Sequence, residues 1–341
     1  MAYTTVNKST AHFNTKLYTG NAGTQAITGI GFQPDLIWTK ARNSVSSNLW
    51  YDPVRGVHKY IRSDKTNAEG TATNTLISFD SDGFTVGDGD NGNASGANGV
   101  AWNWKAGGAG SANTDGSINS TVSANTTAGF SIVTYTGTGA NATVGHGLGT
   151  APKFIVTKCR SDTSDWMVYY GDATDFLKLN TTVATEDLST VWNDTSPTNT
   201  VFSLGNNGDV NTNGRTMVAY CFAEKTGYSK FGSYTGNGST DGTFVYTGFK
   251  PAWFMTKKIN ADGEAWNIQD NTRSLINPVT NELIANGNNA EYTSGSRGDF
   301  LSNGFKLRTT SGGYNNNSST YVYMAFGQSI VGSNNIPATA R

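Results

Sequence analysis

The sequence predicts an all-β protein made of three tandem β-sandwich units, jelly-roll-like or lectin-like, of about 100 residues each. Three observations predict this class. One phrase is spelled three times, as "GFQPDLIWTKAR" at 31–42, "GTAPKFIVTKCR" at 149–160 and "GFKPAWFMTKKI" at 248–259. Glycine makes up 41 of the 341 residues, and Asn-Gly pairs recur at Asn91, Asn98, Asn207, Asn213, Asn237, Asn286 and Asn303. Such pairs supply the positive backbone angles of tight hairpin turns. Charged residues are only 14% of the chain and aromatic ones 11%. A globular domain usually carries about 25% charge, so uncharged polar residues must cover much of this surface while large rings fill the core.

The repeat keeps its landmarks in one order. Tyr-Thr-Gly stands at 18–20, 135–137 and 234–236. Pro34, Pro152 and Pro251 follow, then Lys40, Lys158 and Lys257, both sets offset by 118 and 99 residues. Next come Trp50, Trp166 and Trp266, and then a strand bearing Phe84, Phe202 or Phe305. Each copy closes on "VAWNW", "VAYCF" or "YMAFG". The expected layout is a first unit at 1–105 with a short N-terminal arm, a linker at 106–128, a second unit at 129–226, a third at 227–330 and a tail at 331–341. The linker, rich in Gly, Ser, Asn and Thr, reads as flexible or extended. Almost no spacer separates the second and third units, which predicts that these two pack together more tightly than either packs with the first.

Within each copy the proline suits a strand entry, where a missing N–H costs nothing. The apolar run after it, "LIWTK" in the first copy, reads as a strand buried on both faces, and the lysine as its charged exit to the surface. "VAWNWK" alternates like a half-exposed strand. Helix is hinted only in "VRGVHKYIRSDK" and "NPVTNELIANG". The first of these crowds Arg55, Lys59, Arg62 and Lys65 together, as a solvated loop or helix face or as a contact for phosphate or an acidic protein. "DSDGFTVGDGDNGN", 80–93, reads as a hairpin turn, with a surface calcium ion at Asp88 to Gly92 as the alternative. It lacks the downstream bidentate glutamate of an EF-hand loop.

Catalytic chemistry finds little support. The net charge of −1 gives no global field for nucleic acid or an anionic membrane. No apolar run of about 18 residues predicts a membrane span, and the opening "MAYTTVNKSTAHF" reads as no signal peptide. Cys159 and Cys221 are too few for a disulfide framework and read as small buried hydrophobes, with one bridge between neighbouring strands as the alternative. His12, His58 and His146 share no repeat position, and neither metal-ligand spacings nor a nucleophile motif occurs, so neither cofactor nor enzyme is expected. Paired carboxylates need only proximity in space. Their candidates are Asp52, Glu69, Asp80 and Asp82, then Glu186 and Asp187, then Glu264, Asp270 and Glu291. Asp52 and Asp270 each precede an arginine by three residues, Arg55 and Arg273, where the second copy offers Asp172 and Asp175. That pattern reads first as ion pairs or turn caps. The repeated tryptophans, with Trp102 and Trp104, read first as core and second as sugar-stacking rings.

"YTGNAGTQAITGIGFQPDLIWTKAR", "YDPVRG", "SFDSDGFTVG" and "VAWNWKAGG" together resemble a unit of virion proteins from tailed bacteriophages, especially marine ones, of the tail-fibre-like and capsid-decoration-like kinds. The likeness is closest over the first copy and weakest over the third. It implies a structural or host-contacting particle protein, made in the host cytoplasm, located on the virion and touching other virion proteins. It also implies a homo-oligomer, since phage fibres are often trimers, although three units in one chain can themselves form a pseudo-symmetric trimer or a rod. It supplies no catalytic residue. The rival reading is an array of carbohydrate-recognition modules that contacts host surface glycans through loops the repeats do not share.

Overall fold

The computed structural model describes residues 4–329, so the expected tail at 331–341 lies outside the described residues. The protein is all-β, and its paired strands run antiparallel. In the first copy a large sheet runs in the order Phe13–Thr19, Asn98–Trp104, Leu36–Ala41, Leu49–Tyr51, Lys59–Arg62, Gly70–Thr71. A small sheet holds Gln25–Thr28, Gly83–Val86 and Leu76–Asp80. The second copy repeats the order with Phe130–Thr136, Thr216–Phe222, Phe154–Cys159, Trp166–Tyr169 and Asp175–Lys178, and pairs Ala142–Gly145 with Val201–Leu204. The third has Ser229–Thr235, Thr320–Ser329, Phe249–Lys258, Asn267–Asp270 and Leu283–Ile284, with a small sheet of Phe244–Tyr246, Gly304–Leu307 and Gly298–Leu301. Opening strand, closing strand and proline-to-lysine strand are therefore neighbours three times over.

Alternation in the central strands is used twice. Ile37, Tyr51 and Ala101 point to one face, where they meet Ile27, Phe84 and Val86 of the small sheet. Leu36, Trp38, Trp50 and Trp102 point to the other, where they join Val156, Val168, Tyr220, Met255, Ile268 and Met324 from the other copies. This second face is why "LIWTKA" and "FIVTKC" are buried at every position. It also corrects the half-exposed reading of the closing strand, which is buried from Gly99 to Trp104. Near the last positions of the three closing strands, Trp104, Phe222 and Phe326 form a closed triangle, with ring centroids 6.5, 5.9 and 5.7 Å apart. The copies thus meet around one central aromatic core.

Several expectations are revised. The segment 106–128 is no flexible linker: Ser111–Asn113 and Ser120–Asn125 extend the second copy's large sheet beyond Phe130–Thr136. Small and mostly polar residues, Ser-Ala-Asn and Ser-Thr-Val-Ser-Ala-Asn, pair here with an edge whose neighbour offers unpaired N–H and C=O groups. The second and third copies are not a separate pair, because all three contribute to the central cluster. The two helix hints fail. "VRGVHKYIRSDK" turns through Gly56 and His58, both at positive φ, into the strand Lys59–Arg62, while "NPVTNELIANG" yields only the short strand Leu283–Ile284. Pro34 and Pro152 lie two residues before their strands. Pro251 instead sits inside Phe249–Lys258, where an irregularity between Pro251 and Trp253 absorbs the missing donor.

Candidate functional site

The residues that recur in the repeat converge on the three junctions between copies. Lys40, Lys158 and Lys257 are each 0% exposed, which overturns their reading as exits to the surface. Their strands are covered on both sides, so the ammonium groups turn to backbone oxygen. Lys158 Nζ donates to the carbonyls of Thr66 at 3.2 Å and Cys159 at 2.9 Å and to Ser164 Oγ at 2.8 Å. Lys257 Nζ donates to Thr182 O at 3.3 Å and Lys258 O at 2.7 Å. Lys40 Nζ donates to Ser46 O, and Ser46 N in turn donates to Asn288 O of the third copy. Burial pushes all three lysines down to about 8. The links run from second copy to first, from third to second and from first to third, so they close a ring.

The residue opposite each lysine makes the next link. Lys158 pairs with Trp166, and the neighbouring registers put Asn48 opposite Lys40 and Trp266 opposite Lys257. Trp50 is therefore the counterpart of Val168 and Ile268, which corrects its alignment with Trp166 and Trp266. Asn48 follows Lys40 by the same eight residues that separate Trp166 from Lys158, and the first copy's tryptophan comes two residues later, so counting tryptophans along the chain slips the register. Trp166 Nε1 donates to Arg62 O at 2.9 Å and Lys65 O at 3.1 Å in the first copy. Trp266 Nε1 donates to Lys178 O of the second copy at 3.0 Å. Asn48 Nδ2 donates to Ile284, Ala285 and Gly287 carbonyls of the third. Trp50 itself packs against Trp38, Trp166 and Tyr220, with centroids 4.6, 5.2 and 5.0 Å away.

Ion pairs occupy two junctions and leave the third different. Arg55, with a fully buried side chain, lies between Asp52 and Glu69, and Glu69 also accepts from Arg160 Nε of the second copy at 3.0 Å. Tyr220 Oη of the second copy donates to Asp52 at 2.7 Å. Arg273 likewise lies between Asp270 and Glu291, and Glu291 accepts from Arg42 of the first copy at 2.7 Å. Trp102 Nε1 of the first copy donates to Asp270 at 2.9 Å. Burial opposes the charge on Arg55 and Arg273, yet the adjacent carboxylates hold both above their ordinary value. Glu69 N, Glu291 N and Thr185 N donate to the carbonyls of Arg160, Arg42 and Ile259, which marks Thr185 and Ile259 as the counterparts at the second-to-third junction. There Tyr170, Thr185 and Ile259 stand where the other junctions hold aspartate, glutamate and arginine. A cleft of about 410 Å³ opens beside them, lined by Lys153, Tyr170, Asp172, Glu224, Phe231 and Ser233 among others.

Other candidates are engaged locally. Lys59 donates to Thr71 at 2.7 Å and the Arg62 guanidinium lies over the Tyr60 ring, while Lys65 is exposed, so with Arg55 buried these four cations form no common patch. Asp80 accepts from Ser78 and Thr85, Asp82 from the backbone of Gly29 and Gly31, and Glu186 pairs with Lys178. Asp90 of the calcium-loop candidate is 1% exposed and accepts from Thr39, Tyr51, Tyr18 and Gly92 N. Burial raises its carboxyl above the usual range. Among the described residues no three His, Cys, Asp or Glu side chains gather as a metal site. Cys159 and Cys221 are free and buried, and burial pushes the Cys221 thiol up.

One repeated feature is missing from the sequence reading. Asn93, Asn211 and Asn315 are each 0% exposed. Their carboxamide oxygens accept from the backbone of Asn21, Thr138 and Asn237. Their Nδ2 groups donate to Gly23 and Gly87, to Ala140 and Gly205, and to Ser239 and Thr309. The signal was an asparagine a few residues before each closing strand, hidden among the many other asparagines of those loops.

The chain matches, over residues 8–329, a family model described as a domain of unknown function (DUF7483). The match spans all three copies. No curated protein matches the chain.

Proposed function

The chain belongs to the family of that domain of unknown function, and we propose that it is a bacteriophage virion structural protein, a capsid decoration or head-fibre protein or a tail-fibre protein, acting through protein–protein contacts on the particle. In this reading each copy is a two-layer β-sandwich of the jelly-roll or lectin kind. The observation that carries the proposal is the closed ring of junctions. Buried lysines, tryptophan or asparagine links and shared arginine–glutamate pairs tie three copies to one apolar core. Chemistry of that kind is spent on cohesion, and the product is a rigid block that presents small sheets and loops outward. The particle resemblance of the repeat agrees with such a role, and in this reading the chain is made in the host cytoplasm and located on the virion. Mass spectrometry of purified virions tests it: the protein is expected in stoichiometric amount, and clean particles without it overturn the assignment. Gold labelling with an antibody to the chain separates head from tail.

A second reading has its own support. The cleft at the second-to-third junction combines Phe231 and Tyr170 with Lys153, Asp172 and Glu224, an apolar floor with a polar rim of both charge signs. That lining suits a receptor-binding protein contacting host surface glycans. Loss of glycan-array signal on Glu224→Ala and Lys153→Ala is the expected result for the cleft.

A further inference from the structure

The third copy departs from its sisters at one outward strand. In Phe244–Tyr246, Val245 is 5% exposed and packs in the third copy's own core, while Phe244 and Tyr246 are 43% and 54% exposed. Alternate residues share a face, so the two rings stand about 7 Å apart on the solvent side. Strand pairing sets Val245 opposite Phe305, Ile27 opposite Phe84 and Val144 opposite Phe202. The positions matching Phe244 and Tyr246 are therefore Ala26 and Thr28, both exposed, in the first copy, and Thr143 and Gly145 in the second, where Asn113 and Ser117 lie over them. The first copy folds with small exposed residues there, so packing does not call for the rings.

We propose that this outward face is a saccharide-stacking platform. Tyr246 lies opposite Gly304, where the Val245 carbonyl already leaves no room for a Cβ, and the Phe244 ring lies over that same glycine, 3.0 Å from where a Cβ would stand. Lys230 Nζ stands 5.8 Å from the Tyr246 ring centroid. On the other side Lys306 and Arg308 hold Asp241 at 2.8 and 3.1 Å. The occupant follows from size and rim. Two half-exposed rings offer roughly 200 Å² of aromatic surface, whereas a stable protein interface takes about 800 Å² from each partner. The C–H face of one or two pyranose rings covers an area of that size, and its hydroxyl groups meet the charged rim. Lys230 adds a preference for sugars bearing carboxylate or phosphate groups.

The inference rests on the glycan-contacting reading but uses none of the cleft residues, so the two fail separately. The test uses the whole chain and three variants, Phe244→Thr, Tyr246→Thr and the double, which take residue types the sister copies carry on this face. All are applied to an array of bacterial surface polysaccharides and then titrated calorimetrically against the strongest ligand, with unfolding temperature and mass by light scattering as controls. The expected result is binding by the unaltered chain, at least a 10-fold loss in each single variant and no detectable binding in the double, at unchanged mass. Equal binding by the double variant overturns the platform and leaves the glycan reading standing. No binding by the unaltered chain overturns both. A change of mass in the double variant overturns the platform in favour of contact between copies of the chain.

Discussion

An ammonium removed from water needs oxygen ligands, and Lys158 and Lys257 take theirs from the carbonyls of the preceding copy as well as their own. Each of the three lysines titrates near 8 when folded, against 10.5 in an exposed chain. Between those values the unfolded chain binds more protons, so stability rises with pH. Above about 9 the buried Cys221 and tyrosines, whose values are raised, work in the opposite direction. The window is therefore pH 8 to 9, and urea midpoints should rise across it by the equivalent of about 1 kcal/mol per lysine. Lys257→Met should remove about a third of that slope. The buried asparagines give a second prediction at this scale. Asn211→Ala strands three backbone partners and should cost about 3 kcal/mol in urea unfolding, while Asn213→Ala, at an exposed position, should cost close to nothing. The spelling of the repeat pointed to Lys40, Lys158 and Lys257 but not to their environment. A lysine at a strand end looks the same whether the next layer is water or another copy.

Strands carry the junctions in a register that side-chain identity obscures. Trp166 and Trp266 share a position with Asn48, because the pairing is counted from the lysine across to the next strand. Function at that position needs a donor long enough to reach the neighbouring copy's carbonyls, and both tryptophan and asparagine supply one. The Asp-x-x-Arg spacing of Asp52 with Arg55 and Asp270 with Arg273 was legible as an ion pair. Its extension through Glu69 to Arg160, and through Glu291 to Arg42, was not, since those partners are 91 and 249 residues apart in sequence. Glu69→Gln keeps the shape, removes the charge between two guanidinium groups and leaves the buried Arg55 with Asp52 alone. It should destabilise the protein by about 3 kcal/mol, with little dependence on salt, as read by thermal unfolding at low and high ionic strength. Lys178→Ala, whose Asp165 and Glu186 partners are partly exposed, should cost under about 1 kcal/mol in the same assay.

For the molecule as a whole, each large sheet has two apolar faces and only one small sheet to cover them. The central faces can be buried only by the other two copies, so folding of one copy depends on the rest. A fragment of residues 106–226 would leave Phe130, Phe154, Trp166, Tyr220 and Phe222 facing water. It should aggregate or bind a hydrophobic dye, whereas the full chain should unfold in one calorimetric transition with van't Hoff and measured enthalpies in agreement. Two separated transitions would show that the copies are independent. The sequence by itself determined the all-β class, the three copies and the buried proline-to-lysine strand, because turn chemistry, repetition and unbroken apolar runs are local and carry their meaning in the order of residues. It also marked Pro34, Pro152 and Pro251 and the lysines as fixed points of the unit. The tertiary structure alone decided which face of each sheet is central, that the lysines point into a junction, that 106–128 joins a sheet and that one junction and one outward strand differ from their sisters. The junction outcomes depend on contacts between copies, 92 positions apart for Lys158 with Thr66 and 249 for Arg42 with Glu291, and the pairing of 106–128 depends on a neighbouring strand edge that its polar composition does not announce. An alternating strand states that it has two faces, but only the assembled copies settle what lies against each.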